Sequence, residues 1–272
     1  MSGRAWVSVV WALVAALAFA AFGCASPTGD DVGSASAAQT GAHSARTTVD
    51  GLTLVDLFVD DATTSSPVVV VLHGYGGKPE DLFAAWSAFP GTVRFVFPQG
   101  PIEAGDGYSW FDYDESGGDA AFGRAVAAAG DRIMRAITKH VGTRPVLVAG
   151  ISQGGFVAYG IASRHPTQAK HVFPIAASSP GPLLPRNGAH TSPILAFHGR
   201  SDDVVSIQYA REAVAAFRAE GNEATLREYA NVGHAPSERM IGDVHAEMAR
   251  RLGDRRRPRP APRSRDRAHA RW

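Results

Sequence analysis

Five short, mostly apolar runs recur along the chain, at residues 68–72, 93–97, 145–149, 172–177 and 194–197, broken only by Arg94. Rich in Val and Ile and bounded by Gly or Pro, such runs read as strands buried on both faces. Between them lie segments with helical spacing, over 79–88, 120–141, 154–164 and 207–220. Residues 52–59 alternate apolar and polar with one slip, as a half-exposed strand would; 225–229 reads as a last strand and 237–252 as a last helix. Strands separated by helices need crossover connections, so the expected fold class is α/β, a mostly parallel central sheet flanked by helices. The segments between strands are too short for a separate cap domain. In such sheets a ligand site lies beyond the carboxyl ends of the strands, which makes the loops after each strand the ones to inspect.

The two ends are of different character. After Arg4, residues 5–22 form an apolar run broken only by Ser8, closing on Ala21-Phe22-Gly23-Cys24. The expectation is a signal peptide over 1–23 and an exported protein. Because Cys24 is the sole cysteine and follows a small residue, the arrangement resembles a bacterial lipoprotein signal, which implies a lipid anchor at Cys24 in the cell envelope; ordinary cleaved secretion and a retained anchor are the alternatives. Residues 24–49 turn to Ser, Ala, Thr, Gly and Asp and are expected to form a flexible linker before a catalytic domain over 50–253. The last stretch, 254–272, holds eight Arg and three Pro with almost no apolar content, and is expected to be disordered.

With 45% hydrophobic and 19% charged residues, the chain has material for a full core, which excludes a disordered or disulfide-stapled protein. Residues 24–253 contain 18 Lys/Arg against 24 Asp/Glu. A mildly acidic domain lacks the basic face that nucleic acid requires, so no nucleic-acid partner is expected.

The chemistry gathers at strand ends. The run 145–149 leads into Gly150-Ile151-Ser152-Gln153-Gly154, a G-x-S-x-G sequence placed between a strand and a helix. A nucleophile elbow needs that tight turn, with glycines making room for Ser152 to point its hydroxyl outward. The alternative is a glycine-rich connection with a capping serine. A serine nucleophile needs a base and an acid to orient it. Of ten histidines, His43 and His269 lie in the tails, while His140, His165, His171, His190 and His245 read as solvated or helix-end residues. His234 differs, in Asn231-Val232-Gly233-His234-Ala235 after the last strand. The acid is expected after the preceding strand, in His198-Gly199-Arg200-Ser201-Asp202-Asp203, with one aspartate orienting the base and the other capping the next helix. His198 is expected to brace its own turn. The order Ser, acid, His is that of the α/β-hydrolases. Leu72-His73-Gly74-Tyr75-Gly76-Gly77 follows the run 68–72, where a turn can aim a backbone N–H at a developing oxyanion; the N–H of Gln153 is the second such donor.

Together with Ser109-Trp110-Phe111-Asp112 and the Gly155 that follows the serine motif, this set resembles the phospholipase/carboxylesterase family, which includes the acyl-protein thioesterases. The resemblance spans about residues 50–252 and implies an α/β-hydrolase fold. It implies Ser152 as nucleophile, Asp202 as acid, His234 as base, and the N–H groups of Tyr75 and Gln153 as the oxyanion hole. Family members are commonly cytosolic, and the leader and basic tail depart from that pattern. Trp110 and Phe111, with Tyr108 and Tyr113 beside them, are candidates for the wall of an apolar acyl pocket. Asp112, Asp114, Ser116 and Gly117 mimic the opening of a calcium loop, but Gly123 stands where the closing Glu belongs. No metal and no cofactor are expected. The expected activity is hydrolysis of small to medium carboxylic esters through an acyl-enzyme. The alternatives are a polymer or feruloyl-type esterase, a thioesterase, or a non-catalytic envelope-binding module on the same fold.

Overall fold

A computed structural model describes residues 42–112 and 115–253. The signal segment, Cys24, most of the linker, Tyr113, Asp114 and the Arg-rich tail lie outside the described residues. The described chain runs β1 (His43–Val49), β2 (Leu52–Val59), β3 (Val68–Leu72), α1 (Phe83–Ser87), β4 (Val93–Pro98) and a small hairpin of β5 (Ile102–Ala104) and β6 (Gly107–Ser109). It continues through α2 (Gly118–Val141), β7 (Val146–Ile151), α3 (Gln153–Arg164), β8 (Ala169–Ile175), β9 (Ile194–Gly199), α4 (Ile207–Ala219), β10 (Ala224–Tyr229) and α5 (Glu238–Gly253).

Eight strands form one sheet in the order β1-β2-β4-β3-β7-β8-β9-β10. From β4 to β10 every neighbouring pair is parallel, and β2 runs antiparallel to both β1 and β4. This is the expected mostly parallel sheet. Alternate residues of β3 divide between two cores, Val68, Val70 and Leu72 facing one and Val69 and Val71 the other. Helices α2, α3 and α4 cover the first face, whereas Trp86 of α1 and Met240, Val244 and Met248 of α5 cover the second. Nearly continuous apolar strands are what two covered faces require.

Two expectations are corrected here. The flexible linker does not reach residue 49, because residues 43–49 pair along their whole length with β2. The two-residue turn between them, Asp50-Gly51, has φ of 51° and 69°. Positive φ at both central positions is the type I′ geometry that matches the twist of a hairpin. Nor is β2 half-exposed: lying between β1 and β4, it leaves only Thr53 partly accessible. Its one internal charge, Asp56, is buried, ion-paired with Arg94 of β4 at 2.6 Å, and lies 2.7 Å from Nε2 of His140 of α2.

The chain passes from β3 to β4 on one side, then returns to place β7 on the other side of β3. That reversal opens a crevice between the carboxyl ends of β3 and β7. The Leu72-to-Gly77 loop and the Ser152 turn therefore face each other across it.

Candidate active site

Strand β7 breaks sharply into α3 at Ser152, whose φ and ψ are 52° and −117°. A residue with a Cβ is strained there and persists only where its surroundings impose it. The imposing contacts are steric. A Cβ on Gly150 would lie 2.1 Å from the Gly154 carbonyl oxygen, and one on Gly154 would lie 2.5 Å from that of Leu72. Only glycines let the turn close this tightly against the end of β3. Although Ser152 sits at the N-cap of α3, its side chain makes no capping bond. It points instead to His234, with Oγ 2.8 Å from Nε2.

The other imidazole nitrogen of His234, Nδ1, lies 3.0 and 3.1 Å from the two carboxylate oxygens of Asp202. A carboxylate accepts, so Nδ1 carries the hydrogen and Nε2 is left free to receive the proton of Ser152. Asp202 has no exposed side-chain surface. Its Oδ1 accepts the N–H groups of Val204 and Val205 at 3.0 and 2.8 Å, and its Oδ2 lies 3.0 Å from Nε2 of His198. Burial pushes its pKa up, but the hydrogen bonds from His198, His234 and the Val205 amide outweigh that and hold the carboxyl well below its ordinary value. Asp202 is thus an anion with every lone pair engaged.

His198 does brace its turn, since its Nε2 also donates to the Val205 carbonyl at 2.7 Å. It does more than expected, because the same N–H fixes the acid. Asp203 is exposed, and the cap of α4 is Ser206, which accepts from Gln208 N–H. The capping role expected of the second aspartate therefore falls to a serine three residues on.

Across the crevice, Gly74 packs against Ser152, whose Cβ would be 3.5 Å from a Cβ placed on the glycine. The hairpin of β5 and β6 buttresses this loop: Gly76 N–H donates to the Tyr108 carbonyl and Tyr108 N–H to the Gly77 carbonyl. Tyr75, with 38% of its surface accessible, is the exposed large aromatic of the described residues.

Trp110 and Phe111 do not form an exposed pocket wall. They are 3% and 7% accessible and belong to the core. Trp110 stacks on the His73 ring at 4.6 Å and donates its indole N–H to the His73 carbonyl, while Phe111 packs edge-on to Phe122. A buried indole needs a partner for its N–H, and here that partner lies inside the protein. His140 and His165 lie at helix ends as expected, each also paired with an aspartate, Asp56 and Asp131, whereas His171 and His245 are buried and not solvated. His190 is exposed as expected.

A cavity of about 580 Å3 at the end of β10 is lined by Arg200, Arg227, Glu228, Tyr229, Val232 and Asp243, among others, and by neither Ser152 nor His234. Among the described residues no group of three His, Cys, Asp or Glu side chains is arranged to hold a metal ion.

A sheet of this order, with a serine on a strained strand-to-helix turn beside its switch point, defines the class: the protein is an α/β-hydrolase. Residues 58–250 match the phospholipase/carboxylesterase family, and the chain belongs to that family. It is 24% identical to acyl-protein thioesterase 1 of Debaryomyces hansenii over 67% of this chain and 91% of the relative. It is 28% identical to a probable inactive carboxylesterase of Oryza sativa subsp. japonica over 65% of this chain and 82% of the relative. Among solved structures, esterase PE8 superposes with a TM-score of 0.59 at 26% identity, covering 68% of this chain and 92% of that one.

Proposed function

We propose that the protein is a serine carboxylesterase acting on small to medium esters. His234, oriented by Asp202, takes the proton of Ser152; Ser152 attacks the acyl carbon; the developing oxyanion is held by the N–H groups of Tyr75 and Gln153; the alcohol leaves and water releases the acyl group. No cofactor enters this scheme. The observation that carries it is the continuous relay of 2.8 Å from Ser152 to His234 and 3.0 Å from His234 to Asp202. One relative is named inactive, whereas here all three relay members are present and in contact, which favours an enzyme over a binding module.

Labelling with a fluorophosphonate probe tests the assignment. Wild type should label and Ser152→Ala should not, with turnover of p-nitrophenyl esters falling by about 10⁶. Labelling that survives in Ser152→Ala would remove Ser152 from the role. The thioesterase reading draws on the named relative from Debaryomyces hansenii, and matched oxyester and thioester substrates separate it. We further propose export with a lipid anchor at Cys24, from the apolar leader and the cysteine that closes it. Mass spectrometry of the mature N-terminus decides this, and an unmodified Cys24 within an intact leader would end it.

A further inference from the structure

The two backbone N–H groups assigned to the oxyanion come from loops at the ends of different strands, yet they must be held at a fixed separation. A chain of buried side chains joins them. At one end the peptide unit linking Gly74 to Tyr75 contains the Tyr75 N–H, and its carbonyl accepts from His73 Nδ1 at 2.7 Å. The ring of His73 is held from its other side by the Gly100 N–H, 3.0 Å from Nε2. Accepting there, it is the neutral Nδ1–H tautomer, and burial lowers its pKa in keeping with that. The same peptide plane therefore cannot rotate without breaking this bond.

At the other end is Gln153, whose side chain turns away from its own N–H and into the core. Its Oε1 accepts the Trp110 N–H at 3.0 Å, and its Nε2 donates to Ser109 Oγ at 2.9 Å and to the Phe111 carbonyl at 3.2 Å. Trp110 closes the path, its ring against His73 and its indole N–H 2.8 Å from the His73 carbonyl. His73, Ser109, Trp110 and Gln153 are each 3% accessible or less.

We propose that the side chains of Gln153, Trp110 and His73 form a buried strut that sets the spacing and direction of the two oxyanion N–H groups. This makes Trp110 and the Gln153 side chain positioning residues, acting through the backbone N–H groups of Tyr75 and Gln153. It rests on the esterase reading above. Misplacing a reacting group by about 1 Å can cost on the order of 10²-fold in rate.

The test uses Trp110→Phe, which keeps a ring against His73 but loses the indole N–H, and Gln153→Met, which keeps the backbone N–H but loses both polar ends. In the full chain, each should lower kcat on p-nitrophenyl butyrate by about 10- to 100-fold, with KM within about twofold and the pH midpoint of kcat/KM unmoved. The double variant should be no slower than the slower single one, because both cut one strut. Amide hydrogen exchange over residues 73–77 should rise in both. Unchanged exchange there, losses that multiply in the double variant, or a raised KM at unchanged kcat would each overturn the strut. If one variant does not fold, the other with its exchange measurement decides. Should the wild type hydrolyse no ester, the esterase reading fails, while exchange over 73–77 still judges the strut.

Discussion

The backbone of Ser152 is where structure and chemistry pull against each other, and the tension is measurable. At φ 52° and ψ −117° a residue with a Cβ is held at a cost of about 1–3 kcal/mol. Glycine occupies that region freely. Both Ser152→Gly and Ser152→Ala remove the hydroxyl and with it the bond to His234 Nε2, so that loss cancels when the two variants are compared. What remains is strain relief in the glycine variant, offset by about 0.4–1 kcal/mol because glycine gives the unfolded chain more freedom. The net expectation is that Ser152→Gly is more stable than Ser152→Ala by about 1 kcal/mol, although glycine ordinarily destabilises.

For a domain of this size that difference corresponds to a melting temperature roughly 2–4 °C higher. Calorimetry on the two variants in one buffer, with urea midpoints as a second measure, gives the number directly. If Ser152→Gly melts at or below Ser152→Ala, the turn is not strained, and tight packing of Gly150 and Gly154 alone would account for its shape.

Two further outcomes follow from buried charge and buried imidazole. Asp56→Ala leaves Arg94, with 5% of its side chain accessible, without its counter-charge, and should cost about 3–5 kcal/mol in urea melts at neutral pH. Burial against Trp86 and Phe89 pushes the His245 pKa down to about 4, below the unfolded value, so the unfolded chain binds the extra proton. Stability from this residue is therefore full above about pH 6.5 and is lost as pH falls towards 4, by up to about 3 kcal/mol. His245→Phe should flatten the pH dependence of the urea midpoint across that window, and an unaltered slope would refute it.

Five of the strands were legible because both-face burial leaves nearly continuous apolar runs between turn residues, β2 was legible from its partial alternation, and the long helices from their helical spacing. The β1–β2 hairpin was missed although its signal was present: Thr47, Thr48 and Val49, then Asp50-Gly51, then Leu52 is a β-branched run, an I′ turn and a strand start. A run of Ser, Ala and Thr just upstream hid it within an apparent linker. The aromatic loop misled for a different reason. Composition shows that Trp110 and Phe111 are apolar but not which way they point, and the indole was captured by a carbonyl that only the folded chain brings near. His198 was half read, since its bond to Val205 is local whereas its bond to Asp202 matters only once His234 has arrived.

The close approach of three strand ends explains why the motifs were readable at all. Leu72 and Gly154 touch because a Cβ on the latter would meet the Leu72 carbonyl oxygen at 2.5 Å, which sets the β3 loop beside the Ser152 turn. Gly199 does the same for the base: a Cβ there would lie 2.2 Å from the Val232 carbonyl oxygen, so the end of β9 and the loop bearing His234 meet backbone to backbone. Asp202 follows Gly199 by three residues and His234 follows Val232 by two, so this contact delivers acid and base together. Glycine recurs in the motifs at the places where side-chain volume would hold the loops apart. An alanine at Gly199 should accordingly disturb the relay before it disturbs the core, because the atoms it would strike belong to the loop that carries the imidazole.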